Sequence, residues 1–195
     1  DIYQAILEGG SDALMLVDLP RARARILDLP WVADASIRRR WPDGIEVTIV
    51  ERKPAAIWQH QGRLTLVDAQ GNPLPSDKLE SFTHLPLVVG SSAGKEFTDL
   101  QHLLAGHPAI ADEMLAAVRI GDRRWDLRMK SGETLSLPEG DQAHTALASF
   151  ARMNAEQPLL GQGFVRFDLR IPDKMVVRVS REAGAKAQPS AHAIH

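Results

Sequence analysis

Apolar residues along this chain recur with two different spacings, and each change of spacing marks an element. At the start, Ile2, Ala5 and Ile6 fall on one helical stripe. Asp1 to Leu7 therefore reads as the end of a short amphipathic helix, closed by Gly9-Gly10. A helix that opens without a cap predicts that the chain begins inside an element, as a truncated or processed fragment. Asp18 is the next good N-cap, with Pro20 in a first turn where a missing N–H costs nothing. The helix that follows turns Ala22, Ile26, Leu27 and Leu29 inward and Arg21, Arg23 and Arg25 outward, and Pro30 stops it.

The period then drops to two. Ala35–Trp41 and Ile45–Arg52 read as strands, with Ile37, Arg39 and Trp41 on one side of the first and Ile45, Val47 and Ile49 alternating along the second. Pro42-Asp43-Gly44 joins them as a hairpin turn. A second hairpin is predicted from Ile57-Trp58 and Leu64 to Val67, ending in the turn Asp68 to Asn72. Pro73 to Ser81 reads as a loop, and Leu85 to Gly90 as a short buried strand.

Thr98 is a candidate cap for a helix carrying Leu100, Leu103 and Leu104, and Ala109–Leu115 reads as a second helix after Gly106-His107-Pro108. Strand patterns follow at Val118–Ile120, Arg124–Lys130 and Glu133–Leu137. Asp141 is placed to cap a longer helix with the stripe Ala143, Leu147 and Phe150. Phe164–Leu169 and Lys174–Ser180 make a last pair around Ile171-Pro172-Asp173, and Ala183–His195 reads as a disordered polar tail. The sum is an α+β pattern with a tight boundary near Pro54 and no solenoid repeat.

Composition changes this picture by exclusion. The chain has no cysteine, which removes disulfides and thiolate metal sites. Its net charge is −2, so a general nucleic-acid binder is disfavoured. No apolar run reaches the roughly 20 residues needed to span a bilayer. The histidines are scattered, and His102 and His107 lack the H-E-x-x-H arrangement of a zinc site, so no metal and no cofactor is expected. Ser91 and Ser92 follow a strand without the G-x-S-x-G spacing of a nucleophile elbow, and Gly94-Lys95 lacks the glycine of a P-loop. Asp68 reads as a turn residue, and Asp168 as an ion-pair partner beside Arg170. No catalytic residue is assigned.

Two features point to recognition instead. Arg38-Arg39-Arg40, with Arg21 and Arg25, either forms a basic patch for lipid heads, nucleic acid or an acidic partner, or is a solvated face. Lys174-Met175-Val176-Val177-Arg178-Val179 is a short apolar strand with Lys174 and Arg178 placed as guards. At a sheet edge it would aggregate, stay guarded or receive a partner strand; the alternative is a covered internal strand.

The order Pro30-Trp31-Val32, Pro42, Glu51-Arg52-Lys53-Pro54-Ala55-Ala56 closely resembles the POTRA segment of the FtsQ/DivIB cell-division family. The likeness continues at Leu66-Val67-Asp68-Ala69-Gln70-Gly71, Leu85-Pro86-Leu87-Val88-Val89-Gly90, Arg124-Trp125-Asp126-Leu127 and Phe167-Asp168-Leu169-Arg170. The resemblance implies an α+β fold: a POTRA-type domain, with helices packed on a small sheet, over residues 1–54, a larger β-domain with flanking helices over 55–182, and the tail 183–195. By position the first POTRA strand and the transmembrane helix are missing from this chain, which would leave a POTRA sheet edge open.

The family further implies a non-enzymatic divisome scaffold in the bacterial inner membrane, bitopic, with this part in the periplasm. Its partners would be FtsB and FtsL, by strand addition at the C-terminal edge, and FtsK through the POTRA domain. Carried over by position, the partner-binding residues are Lys174, Met175, Val176, Val177, Arg178 and Val179, with Arg170 and Asp173 as polar contacts. Ile171-Pro172 stands where some relatives carry an aromatic, a departure that touches side-chain contacts rather than backbone pairing. The runner-up is a POTRA-type chaperone or assembly module for outer-membrane or secreted proteins, which usually carries tandem POTRA repeats.

Overall fold

The computed structural model describes residues 2, 17–42, 44–172 and 174–179. The chain divides into two compact units, Asp1–Pro54 with Pro73–Pro75, and Ala55–Asn72 with Ser76–His195. The expected opening helix lies outside the described residues except for Ile2, as do the turn residue Asp43 and the tail.

In the first unit, helix α1 (Leu19–Leu27) begins where Asp18 accepts the Arg21 N–H at 3.1 Å. It buries Ala22 and Ile26. Strands β1 (Val32–Arg40) and β2 (Gly44–Glu51) pair antiparallel, with Ile37 opposite Val47 and Arg38 opposite Glu46. An irregularity between Val32 and Asp34 breaks the strict alternation. That extra residue lets both Val32 and Ala35 turn inward although they stand three apart. They form a small core with Ile26, against which Leu27, Leu29, Ile37, Val47 and Ile49 pack. Trp41 departs from expectation. Pairing ends at Arg40 opposite Gly44, so Trp41 leaves the strand face and is 85% exposed. The short strand β5 (Pro73–Leu74) also counts with this unit.

The second unit is built on one mixed sheet. Its strands are β3 (Pro54–His60), β4 (Arg63–Asp68), β6 (Leu87–Val89), β7 (Met114–Ile120), β8 (Arg124–Met129), β9 (Thr134–Glu139), β10 (Phe164–Asp168) and β11 (Val176–Val179). They lie in the order β11-β10-β9-β8-β7-β6-β3-β4. Helices α2 (Phe97–Ala105), α3 (Pro108–Glu113) and α4 (Gln142–Glu156) complete it. β9 and β10 are parallel neighbours joined through α4, a β-α-β crossover.

Trp125, Leu127, Leu135, Leu137, Leu147, Phe150 and Phe167 belong to one buried cluster. Phe167 packs between Phe150 and Phe164, with ring centres 5.1 and 5.3 Å away. Four consecutive residues of β9, Leu135 to Pro138, are buried, the mark of a strand covered on both faces. Among the described residues, no helix is long and apolar enough to cross a membrane.

Several local expectations give way to tertiary contacts. Thr98 is not a cap: its hydroxyl donates to the Ala69 carbonyl at 3.1 Å, and the helix starts one residue earlier. The second helix ends at Glu113, because Met114 pairs with Met129 and opens β7. Asp141 stands at the N-cap position with helical angles (φ −62°, ψ −22°) and makes no side-chain cap. Pro73–Ser81 carries β5 and the start of a 3₁₀ turn (Leu79–Phe82).

Candidate functional site: the C-terminal sheet edge

β11 is the terminal strand of the sheet order, paired only with β10 among the described residues. The segment before it is fixed at several points. The Leu169 N–H donates to the Ser136 carbonyl at 2.9 Å, extending the β9–β10 pairing, and the Lys174 N–H donates to Ile171 O at 3.2 Å, closing the turn. Met175 packs against the main core as the anchor of the strand. Upstream, buried Glu133 accepts the Gly161 N–H at 2.8 Å, and Asn154 accepts those of Leu159 and Leu160 at 2.9 and 3.1 Å. These bonds pin the loop that delivers β10.

The register turns this edge into two rows of side chains. Leu127, Leu135, Phe167 and Val177 stand opposite one another across β8, β9, β10 and β11. The first three are fully buried, whereas Val177 is 38% exposed. Asp126, Ser136, Asp168 and Val176 form the neighbouring row, on the other face of the pleat. Ser136 donates to Asp126 at 3.2 Å, and the row ends at Val176, 52% exposed. Val179 is 62% exposed. Among the described residues, the apolar row is dry for three strands and exposed at the fourth, with no strand beyond it.

Arg170 closes on Asp168 in a two-point pair, Nε to Oδ1 at 2.8 Å and Nη2 to Oδ2 at 2.5 Å. The hydrogen bond from Arg170 holds the Asp168 carboxyl below the usual carboxylate range, and the same bond raises Arg170. Arg170 thus stays beside Asp168 at the start of the segment leading into β11, with its side chain 44% exposed. Lys174 and Arg178 are exposed, as guards of an open edge would be, and Asp173 lies outside the described residues.

A groove of about 460 Å³ runs beside this edge, between α4 and the 169–175 segment. Ala146, Ser149 and Met153 line its α4 wall, facing Ile171, Pro172 and Met175. Sequence reading missed this wall. Its signal is a second stripe, Ala146, Ser149 and Met153 at helical spacing, beside the buried stripe Ala143, Leu147 and Phe150.

Other candidates are used structurally. The Ser91 and Ser92 hydroxyls donate to the Asp122 carboxylate at 2.7 and 2.9 Å, tying two turns together. Asp68 accepts from the N–H groups of Gln70 and Asn72 at 2.9 and 2.8 Å, as a turn residue does. Arg38 pairs with Glu46 at two points, and Arg39 donates to the Val17 carbonyl. No group of three metal-ligating side chains is assembled among the described residues.

Comparison with known proteins places both parts of the chain. Residues 1–52 match the model of the FtsQ-type POTRA domain, and residues 56–170 that of the C-terminal region of the cell division protein FtsQ/DivIB. The second match stops at residue 170, before β11. Cell division protein FtsQ of Zymomonas mobilis is 46% identical over 182 residues, covering 93% of this chain and 58% of the relative. That of Caulobacter vibrioides is 36% identical over 175 residues, covering 90% and 57%. That of Rhizobium radiobacter is 33% identical over 193 residues, covering 99% and 91%. The chain thus spans little more than half the length of the first two. The major extracytoplasmic domain of the trans isomer of the cell division protein DivIB from Geobacillus stearothermophilus matches at 17% identity and a TM-score of 0.37, over 55% of this chain and 95% of that domain.

Proposed function

This chain belongs to the FtsQ/DivIB family of bacterial cell-division proteins, and from that premise we propose that it is a non-enzymatic divisome scaffold whose C-terminal edge receives a strand from an FtsB-like partner. In this reading residues 1–54 are the POTRA domain, 55–182 the β-domain and 183–195 a tail. The whole protein sits in the inner membrane with this part in the periplasm, binds FtsB and FtsL, and reaches FtsK through the POTRA domain.

The observation that carries the reading is the row Leu127–Leu135–Phe167–Val177, which runs out at an exposed valine on a terminal strand. A partner strand laid along β11 satisfies the outward backbone groups of Val176 to Val179, and its alternate side chains continue both rows. Side chains flanking that strand have the groove beside α4 to fill. In this reading Arg170, already paired with Asp168, is a polar contact beside that strand.

The test is amide hydrogen exchange on the chain with and without the periplasmic segments of FtsB and FtsL. New protection concentrated at 174–179 is the expected result. A complex that forms without protection there moves the interface elsewhere, and the absence of any complex with the intact protein removes the reading.

A further inference from the structure

We propose that the strand received at β11 carries a carboxylate, from glutamate or aspartate, in register with Arg178. The inference rests on β11 being the partner-binding edge and adds the charge that the partner brings to it.

Beside the two rows already described runs a third. Arg128, Thr134, Arg166 and Arg178 stand opposite one another across β8, β9, β10 and β11. Each lies two residues from its counterpart in the row Asp126, Ser136, Asp168 and Val176, so both rows share one face of the sheet. The three arginines are exposed, and among the described residues none of them makes a hydrogen bond or an ion pair.

The carboxylates nearby are already matched. Asp168 is closed by Arg170 at two points. Asp126 is buried, accepts from Ser136 at 3.2 Å and lies 3.6 Å from Arg124. Glu133, next to Thr134 in the chain, is fully buried and accepts the Gly161 N–H at 2.8 Å. The arginine row itself holds no acid, so the balance of charge on this part of the sheet is positive.

Arg166 opposite Arg178 is a cross-strand pair of like charge, which costs hairpin stability. Guarding an open edge accounts for a charge on β11. It does not account for a second charge of the same sign directly across on β10. A partner carboxylate at the next place in the row accounts for both. It meets Arg178 at one strand spacing, about 4.8 Å, and Arg166 at two, about 10 Å. The longer distance is on the order of the screening length at physiological salt, so both cations act on it. Arg128, four spacings away, is screened. A lysine in the same place would meet Arg178 and Arg166 as like charge, and the row thereby selects among partner strands.

The experiment measures binding of the periplasmic segment of FtsB to the parent chain and to Arg178→Glu and Arg178→Lys, with amide exchange followed at 174–179. Arg178→Glu should lower the affinity about three- to tenfold, and Arg178→Lys should change it less than about twofold. The loss cannot come from unfolding, because the same Arg178→Glu change relieves the repulsion from Arg166 and should slow exchange in the unbound hairpin. Replacing the acidic residues of the FtsB segment by lysine, one at a time, should restore affinity for Arg178→Glu at a single position. The proposal is overturned if Arg178→Glu binds as the parent does, or if no lysine replacement restores binding. Protection at 174–179 in the parent under either of those results leaves strand addition standing and removes only the carboxylate. A parent complex without that protection removes both.

Discussion

Two hairpins of this chain use the same antiparallel pairing and end in opposite situations. In β1–β2, Ile37, Val47 and Ile49 pack against a core that includes Ile26 of α1, and Arg38 stands opposite Glu46 in a two-point pair. In β10–β11, the inward row ends on an exposed Val177, and Arg166 stands opposite Arg178. Opposite charges across a strand pair add stability, whereas like charges subtract it. The first hairpin is closed by its own helix and its own salt bridge. The second is tied down at Met175 and by the bond from the Lys174 N–H to the Ile171 carbonyl, and among the described residues no strand pairs with its outer edge. Pairing geometry is therefore common to both, and the difference lies in whether the apolar row is covered, as in β1–β2, or ends on an exposed residue, as in β10–β11.

The largest test of that contrast lies in the closed hairpin. Ile26→Ala removes the fully buried contact between helix and strands, and should cost about 2–5 kcal/mol. Denaturant unfolding followed by the methyl resonances of Val47 and Ile49 measures it. Binding of an FtsB segment at β11 should be unchanged where the protein remains folded. If Ile26→Ala costs nothing, the first hairpin is not held by its helix.

Val177→Pro tests the open hairpin. It removes an N–H and fixes φ in the terminal strand. FtsB-segment affinity, measured calorimetrically, should fall at least tenfold, about 1.4 kcal/mol, with little change in the melting of the main core. Equal affinity for parent and variant would remove β11 as the binding strand. Arg178→Glu converts a like-charge pair with Arg166 into an opposite one, and should stabilise β10–β11 by about 0.2–1 kcal/mol. Slower amide exchange at Phe167 and Val177 in the unbound protein is the expected sign.

The smallest effect is a titration. Asp168 is held below its ordinary value by the hydrogen bond from Arg170. Its folded pKa is depressed, so its stabilising contribution is present above the unfolded value of about 3.9 and is lost as pH falls through the lower folded value. A carbon-detected titration should find the Asp168 midpoint below the ordinary range, and Arg170→Ala should return it upward. An unmoved midpoint in that variant would assign the shift to another cause.

Much of the fold was legible because it depends on short-range rules. Asp18 was readable as a cap because, with extended backbone angles, its carboxylate reaches an N–H three residues on. The Asp68 turn was readable for the same reason. Thr98 and Asp141 carry the same local signal and do something else. Thr98 finds an acceptor in a turn 29 residues away, and Asp141 adopts helical angles that turn its carboxylate from the cap. Met114 and Leu115 continue a helical pattern in sequence, but pairing with β8 claims them as strand. Trp41 keeps the alternation of its strand on paper and loses it where the pairing ends.

By itself, then, the sequence determined the periods, the turns, the absence of thiol chemistry, the resemblance to a cell-division family and the apolar character of Lys174–Val179. Those follow from bonds and side-chain preferences that act over a few residues. Only the tertiary structure decided that β11 is terminal, that its rows run inward through Phe167 and Asp168, and that α4 lays a groove beside it. It alone set Arg128, Arg166 and Arg178 in one row. Strand order and register join residues far apart in the chain, and the physical cause is burial: the arrangement that hides Leu127, Leu135, Phe150 and Phe167 fixes where every neighbouring polar group must stand.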